Sequence, residues 1–212
     1  IDLFNKGNKD DYITIGMNLT GLWADSLKID YNMITDQKFS FREKFNEEYG
    51  YLKIDDNDLD REWATVVIER VLKNNGKVIL GKQLDGTWEQ NPRDKMDKFK
   101  HDKENFIYFD YLDCDHSIFC NQKLFYQNDK LDLNCICLSV AVLAIHFILL
   151  TGITKLIFVG FDSEINHIKP ALNNFWTSIL PKYLKDNYPN VKLQQFKSTY
   201  FQMPFAEQIS TL

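Results

Sequence analysis

Apolar residues along this chain recur at two spacings, one typical of buried strands and one typical of helices. Several runs are short, mostly apolar and bounded by turn-forming residues, which predicts strands. In chain order these are DYITIGMN (11–18), DYNMITDQ (30–37), KVILG (77–81), NFIYFDYL (105–112), KLIFVGFD (155–162) and NVKLQQF (190–196). Most of the segments between them have helical spacing or turn chemistry, so strands and helices are predicted to alternate.

The clearest predicted helix is amphipathic and lies within residues 55–77. Its apolar positions recur at the spacing of one helix face: Trp63, Val66, Val67 and Val71. Asp58 or Asp60 is predicted to cap its first turn, because an acidic side chain can accept hydrogen bonds from the free amides there. Residues 74–76, Asn-Asn-Gly, are predicted to end it.

Three further segments have helical patterns. Residues 39–52 are predicted to be helical, followed by a turn. The segment 136–150 is apolar nearly all round, which predicts a buried helix that Gly152 ends and a buried parallel strand follows. The segment 169–189 is predicted to be a helix that breaks near Pro181, because proline lacks the amide that helix continuation requires.

This alternation predicts the α/β class, with three layers, a mostly parallel sheet and helices on both faces. A length of 212 residues suits one domain over 1–212. Residues 82–134 are charged and rich in turn-forming residues over much of their length, so we expect a flap or insertion within them.

Composition changes this picture little. The net charge is −5 and no long basic tract occurs, so there is no strong nucleic-acid signal. The longest apolar stretch, 135–150, is shorter than the roughly 20 residues that a membrane-spanning helix needs. Residues 1–20 carry no signal-peptide pattern, and the cysteines favour buried thiols over a zinc site. We therefore expect a cytoplasmic protein with no resident metal, and homo-oligomerisation stays open.

The candidate chemistry lies where predicted strands end. Asn18, Asp36 and Asp162 each follow or close a strand, and Gly160 lets the backbone turn just before Asp162. In parallel sheets, ligands bind at the carboxyl ends of the strands, so these residues are candidates for one ligand crevice. The alternative is that Asp36 and Asp162 cap helices or turns. His167 is either a general base beside that edge or a surface loop residue.

Two longer segments resemble a known superfamily. LSVAVLAIHFILLTGITKLIFVGFDSE (138–164) is similar to a signature of bacterial sialyltransferases and of the DUF115 group, in which a small-residue loop leads into an apolar helix, a Gly turn and a strand ending Gly-x-Asp. YITIGMNLTGLWADSLKIDYNMITD (12–36) resembles their unit of strand, Asn, short helix and strand. VKLQQFKSTYFQMP (191–204) is similar to their closing strand and polar turn.

The resemblance implies a Rossmann-like glycosyltransferase that uses a nucleotide-activated sugar donor, with a glycan, protein or modified nucleobase as acceptor. Asn18, Asp36, Ser139 and Gly160 would bind the donor, and Asp162 and His167 would be catalytic. One alternative is a pyrophosphokinase of the pterin type that uses ATP and Mg²⁺, with Asp36, Asp162 and Glu164 as metal candidates. Another is a catalytically degenerate binding module.

Overall fold

A computed structural model of the chain describes residues 12–34, 54–83, 99, 104–111, 140–160, 175–197, 202–203 and 205–210. The chain has an α/β fold and divides into two compact units, Ile1–Tyr111 and Leu112–Leu212. Seven strands are described: β1 (Ile15–Met17), β2 (Tyr31–Ile34), β3 (Lys77–Gln83), β4 (Phe106–Tyr111), β5 (Lys155–Phe158), β6 (Lys192–Phe196) and β7 (Glu207–Ile209). Three α-helices accompany them: α1 (Trp63–Lys73), α2 (Val140–Leu150) and α3 (Leu180–Asn187).

The first unit is built on a four-stranded parallel sheet in the order β1-β2-β3-β4. Gly16 of β1 lies beside Asn32 of β2, and Asn32 lies beside Val78 of β3. Parallel neighbours in register point their side chains to the same face, so these residues share one face of the sheet. This chain order, in which each strand is added beside the previous one, requires a crossover connection after every strand.

Two helices cover that face. A 3₁₀ helix, Asn18–Trp23, connects β1 to β2, and α1 precedes β3. Leu22 from the 3₁₀ helix, Val67 and Val71 from α1, and Val78 from the sheet belong to one buried core. The amphipathic pattern of α1 is explained by this packing, because its apolar residues form the buried stripe.

The end of α1 agrees with the prediction, and its start does not. Asn75 takes a left-handed conformation (φ 61°), its amide donates to Leu72 O, and the amide of Gly76 donates to Val71 O. This hydrogen-bond pattern is a Schellman motif, so the predicted stop at 74–76 is confirmed. The predicted cap is wrong, since Glu62 occupies the cap position and makes no side-chain cap hydrogen bond.

Asp58 does not cap α1 because its carboxylate takes part in an ion-pair network. Arg61 Nη1 donates to Asp58 Oδ1 (2.7 Å), and Arg61 Nη2 donates to the Glu69 carboxylate (2.7 Å). Arg70 approaches Asp58 at 3.8 Å and donates to Leu22 O (2.9 Å). The carboxylate that could cap α1 is therefore used to connect the preceding turn to the side of that helix.

Asp25, just after the 3₁₀ helix, binds the other end of α1. Asn74 Nδ2 donates to Asp25 Oδ1 (3.0 Å), and Lys73 Nζ lies 3.4 Å from the same oxygen. The hydrogen bond from Asn74, assisted by Lys73, lowers the pKa of the Asp25 carboxyl below its ordinary value. These contacts hold the carboxylate in its charged form at the carboxyl end of a helix.

The second unit contains a three-stranded parallel sheet in the order β5-β6-β7. Helix α2 precedes β5, and Gly152 follows the helix in a left-handed conformation (φ 77°), as the sequence predicts. One face of α2 is buried, through Ala141, Ala144, Ile145 and Leu149. In β5, Leu156 and Phe158 are buried, whereas Lys155 is exposed and Ile157 is half-buried, so burial alternates rather than being continuous.

Near Pro181 the predicted helix changes from π-helical to α-helical winding without leaving the helical region, because Ile179 keeps a right-handed helical conformation. A π-helical turn, Phe175–Ile179, precedes α3, and Pro181 lies in the first turn of α3. Leu180, Tyr183 and Leu184 form the buried side of α3.

Some predictions fall outside the described residues. The helix predicted over 39–52 lies outside them, and so does most of the predicted flap within 82–134, where the main described element is β4. The single domain over 1–212 stays a prediction. Within the described ranges, every helix is too short or too polar to cross a bilayer.

Candidate functional site

The predicted site residues divide between the two units. Asn18 belongs to the first unit and Gly160 to the second, and both are described. The other predicted residues, Asp36, Ser139, Asp162 and His167, lie outside the described residues. Of the two described residues, only Asn18, at the carboxyl end of β1, has a side chain.

Asn18 directly follows β1 and begins the 3₁₀ helix. Its φ is 47°, in the left-handed region that asparagine enters more readily than most other residues. This conformation turns the chain sharply out of the strand, so that the residue stands at the sheet edge where ligands of parallel sheets bind. Asn18 is half-buried.

Asn32 holds this turn from inside the core. It lies in the middle of β2 and is fully buried (0% exposed). Its Nδ2 donates a hydrogen bond to the carbonyl oxygen of Asn18 (3.1 Å). The interaction crosses from the second strand to the turn after the first, and it fixes the peptide plane that follows Asn18.

The Oδ1 of Asn32 has a different environment. Within the described part of the chain, no donor lies at hydrogen-bond distance from this buried oxygen. It lies against the backbone of Gly16, its register neighbour, where a Cβ atom would come within 2.4 Å of it. A Cβ on Gly21 would lie 3.2 Å from Asn32 Cγ. Two glycines thus leave the space in which the buried amide fits.

Sequence reasoning missed Asn32 as a functional candidate. The signal was an amide inside the run YNMI, whose other residues suit a buried strand. Strand periodicity alone cannot show that such an amide is buried, because it would look the same on a solvated face. The neighbouring glycines, Gly16 in β1 and Gly21 in the 3₁₀ helix, were the additional signal, since glycine in a strand often marks a close approach.

We expect Gly16→Ala to destabilise the protein by about 1 to 3 kcal/mol, because the new methyl group would overlap Asn32 Oδ1. Asn32→Ala removes that overlap, so Gly16→Ala should cost at least about 1 kcal/mol less in the Asn32→Ala background. Part of the cost should persist, since Thr20 atoms lie 3.3 Å from the new Cβ. Urea unfolding of the four proteins in this double-mutant cycle measures the coupling, and purely additive costs would contradict the contact.

In the second unit, the carboxyl ends of β5 and β6 have Gly160 and the buried amide of Gln195 beside them. Gly160 follows β5 with φ 74°, and among the described residues beyond its chain neighbours no atom lies within 4 Å of the position a Cβ would take. In β6, Gln195 is buried (1% exposed), and its Oε1 accepts hydrogen bonds from the Met203 amide (2.7 Å) and from Gln208 Nε2 (3.1 Å). This amide ties β6 to β7 and to the segment before β7.

The left-handed conformation of Gly160 is one that glycine adopts at no steric cost. Among the described residues, no group of three or more His, Cys, Asp or Glu side chains is placed to hold a metal ion. Comparison with known proteins found no family model that matches the chain, and no significant match to a curated protein or a solved structure.

Proposed function

We propose that this chain is a glycosyltransferase that takes a nucleotide-activated sugar as donor, on a three-layer Rossmann-like fold. The observation that carries the proposal is the turn at Asn18. It stands at the carboxyl end of a parallel strand, in a unit of strand, 3₁₀ helix and parallel strand, with its carbonyl held by a buried amide. The side chain of asparagine carries one donor group and one acceptor group, which are the two kinds of group that a nucleobase can bind.

The sheet of the first unit supports the proposed fold. Its strands are all parallel, and each lies beside the strand that precedes it in the chain, as in one half of a doubly wound sheet. Ile34 and Val78 face the α1 side, while Met33 and Ile79 alternate to the opposite side, and all four are fully buried. A sheet that is covered on both faces is what a three-layer arrangement requires.

The proposed roles are those that the sequence resemblance implies. In the first unit, Asn18 and Asp36 bind the nucleotide part of the donor. In the second unit, Ser139 and Gly160 are the proposed donor-binding positions, and Asp162 and His167 the proposed catalytic ones. The left-handed turn at Gly160 supports its assignment, because a residue without a side chain at a strand end lets a ligand approach the backbone closely.

A thermal-shift panel tests the proposal. CMP, UDP, GDP and ATP are each added with and without Mg²⁺ or Mn²⁺. A ligand at 100 times its Kd stabilises the folded state by about 2.7 kcal/mol. For a chain of this length that corresponds to roughly 5 to 10 °C in Tm. We expect a shift of this size with CMP or one nucleoside diphosphate, and a much smaller shift in Asn18→Gly, which keeps the left-handed backbone but loses the amide, and in Asp162→Asn.

Asp25→Asn is the matched control, because it neutralises a carboxylate that is bound to Lys73 and Asn74 at the end of α1. Its nucleotide shift should equal that of the wild-type protein. Stabilisation by ATP alone, and only with metal, would replace the transferase by a pyrophosphokinase. A flat panel from folded protein would refute both enzymatic proposals and leave the binding module.

A further inference from the structure

The buried amide of Asn32 satisfies only part of its hydrogen-bonding capacity. Nδ2 donates to Asn18 O, while Oδ1 meets no donor among the described residues. A buried polar atom without a partner is unfavourable, and an apolar residue of similar shape avoids that penalty. Its strand neighbours Met33 and Ile34 are apolar and fully buried. The unpartnered Oδ1 therefore does not explain the asparagine, and the contact that Nδ2 makes is the feature to be explained.

The hydrogen bond from Asn32 restrains the backbone of Asn18, which could otherwise adopt other conformations. A residue other than glycine at φ 47° is in a sparsely populated region, and such a conformation persists when its surroundings impose it. The hydrogen bond from Asn32 fixes the carbonyl of Asn18. The bond thereby sets the plane of the next peptide and limits the rotation that would redirect the Asn18 side chain.

We infer that Asn32 is a positioning residue for nucleotide binding, which acts by holding Asn18 in its left-handed conformation. The inference rests on the proposed function, in which Asn18 contacts the nucleotide. Asn32 itself is buried within the layer between the sheet and the helices, so it does not touch the ligand. Residues of this kind, which orient the group that binds, commonly affect affinity although they make no contact of their own.

The test is a double-mutant cycle read by nucleotide affinity. Wild type, Asn32→Leu, Asn18→Gly and the double variant are titrated calorimetrically with CMP, UDP, GDP and ATP, well below their Tm values. We expect Asn32→Leu to raise the Kd of the nucleotide that binds wild type about tenfold, which corresponds to about 1.4 kcal/mol. In the Asn18→Gly background the same substitution should change Kd less than about twofold, because the side chain it positions is absent.

Two further variants separate positioning from a general loss of structure. Ile68→Val shortens a buried residue of α1 and should leave Kd unchanged even though it lowers Tm. Asn32→Ala removes the amide without adding bulk beside Gly16, and it should reproduce the effect of Asn32→Leu on Kd. If neither Asn32 variant folds, Asn32 is a structural residue and the inference is overturned.

The outcomes distinguish this inference from the proposed function. Wild-type protein that binds none of the four nucleotides would overturn the proposed function, and the inference with it, before any variant is considered. Wild-type binding with an unchanged Kd in Asn32→Leu would overturn the inference alone. An equal loss of affinity in the wild-type and Asn18→Gly backgrounds would do the same, because Asn32 would then act independently of Asn18.

Discussion

Gly76→Ala should lower the free energy of unfolding by about 3 kcal/mol. A Cβ at this position would lie 2.5 Å from the carbonyl oxygen of Ile29 and 2.7 Å from Val71 Cγ1. The oxygen belongs to the backbone beside β2, so it cannot rotate away as a side chain would. Gly76 also closes the Schellman motif of α1, and the next residue pairs through Lys77 N to Asp30 O (2.8 Å). Relief of the overlap would disturb the junction between helix and sheet.

Gly152→Ala is the control for that prediction. Gly152 has φ 77°, and no atom of the described residues beyond its chain neighbours lies within 4 Å of a Cβ there, so alanine is expected to meet the intrinsic penalty of the left-handed region, about 1 to 2 kcal/mol. Guanidinium unfolding, followed by circular dichroism for both variants, compares the two costs. A loss for Gly76→Ala no larger than that for Gly152→Ala would show that the Ile29 carbonyl is not the obstacle.

The elements that sequence reasoning identified correctly are those that local pattern determines. Helix α1 has apolar residues at helical spacing over its whole length, and the three consecutive residues Asn74, Asn75 and Gly76 mark its end. The helix and its end were therefore both predictable. The change of helix type before α3 lies next to the proline that marks this place in the sequence. The start of α1 was predicted wrongly because Asp58 binds Arg61 instead of capping the helix, a choice made by tertiary contacts rather than by local preference.

Strand β7 was not predicted, and the reason is also physical. It has three residues, Glu207–Ile209, none of them fully buried, and only one of them is strongly apolar. Such a segment has no periodicity to detect, and it becomes a strand because it pairs with Gln194–Phe196 of β6. Likewise, β1 is shorter than its apolar run, since pairing with β2 extends only over Ile15–Met17.

In the candidate site, too, the features that depend on local pattern were predictable, and those that depend on tertiary packing were not. The position of Asn18 after a strand could be predicted, because strand ends are visible in the apolar pattern. The position of Asn32 beneath that turn could not, since it depends on burial and on the space left by Gly16 and Gly21 in other elements. The predicted roles of Asp36 and Asp162 stay predictions, because both residues lie outside the described part of the chain.

Gly21 links the packing of the first unit to the position of Asn18. It lies in the 3₁₀ helix that Asn18 begins, and a Cβ there would come within 2.5 Å of Val67 Cγ1 and 2.9 Å of Val71 Cγ2. The 3₁₀ helix can therefore lie against α1 only because this residue has no side chain. Valine is stiff at χ1, so neither valine can turn its methyl group aside without strain.

We therefore expect Gly21→Ala to destabilise the protein by about 2 to 3 kcal/mol. Val67→Ala should recover at least about 1 kcal/mol of that cost, because it removes the atom nearest to the new methyl group. Urea unfolding of both single variants and of the double variant measures this recovery. Val66→Ala, used in place of Val67→Ala, is the control. Val66 is buried in the same helix, but none of its atoms is among the three nearest to the Gly21 site. Equal recovery from both valine substitutions would mean that general loosening of α1, and not the close approach at Gly21, relieves the strain.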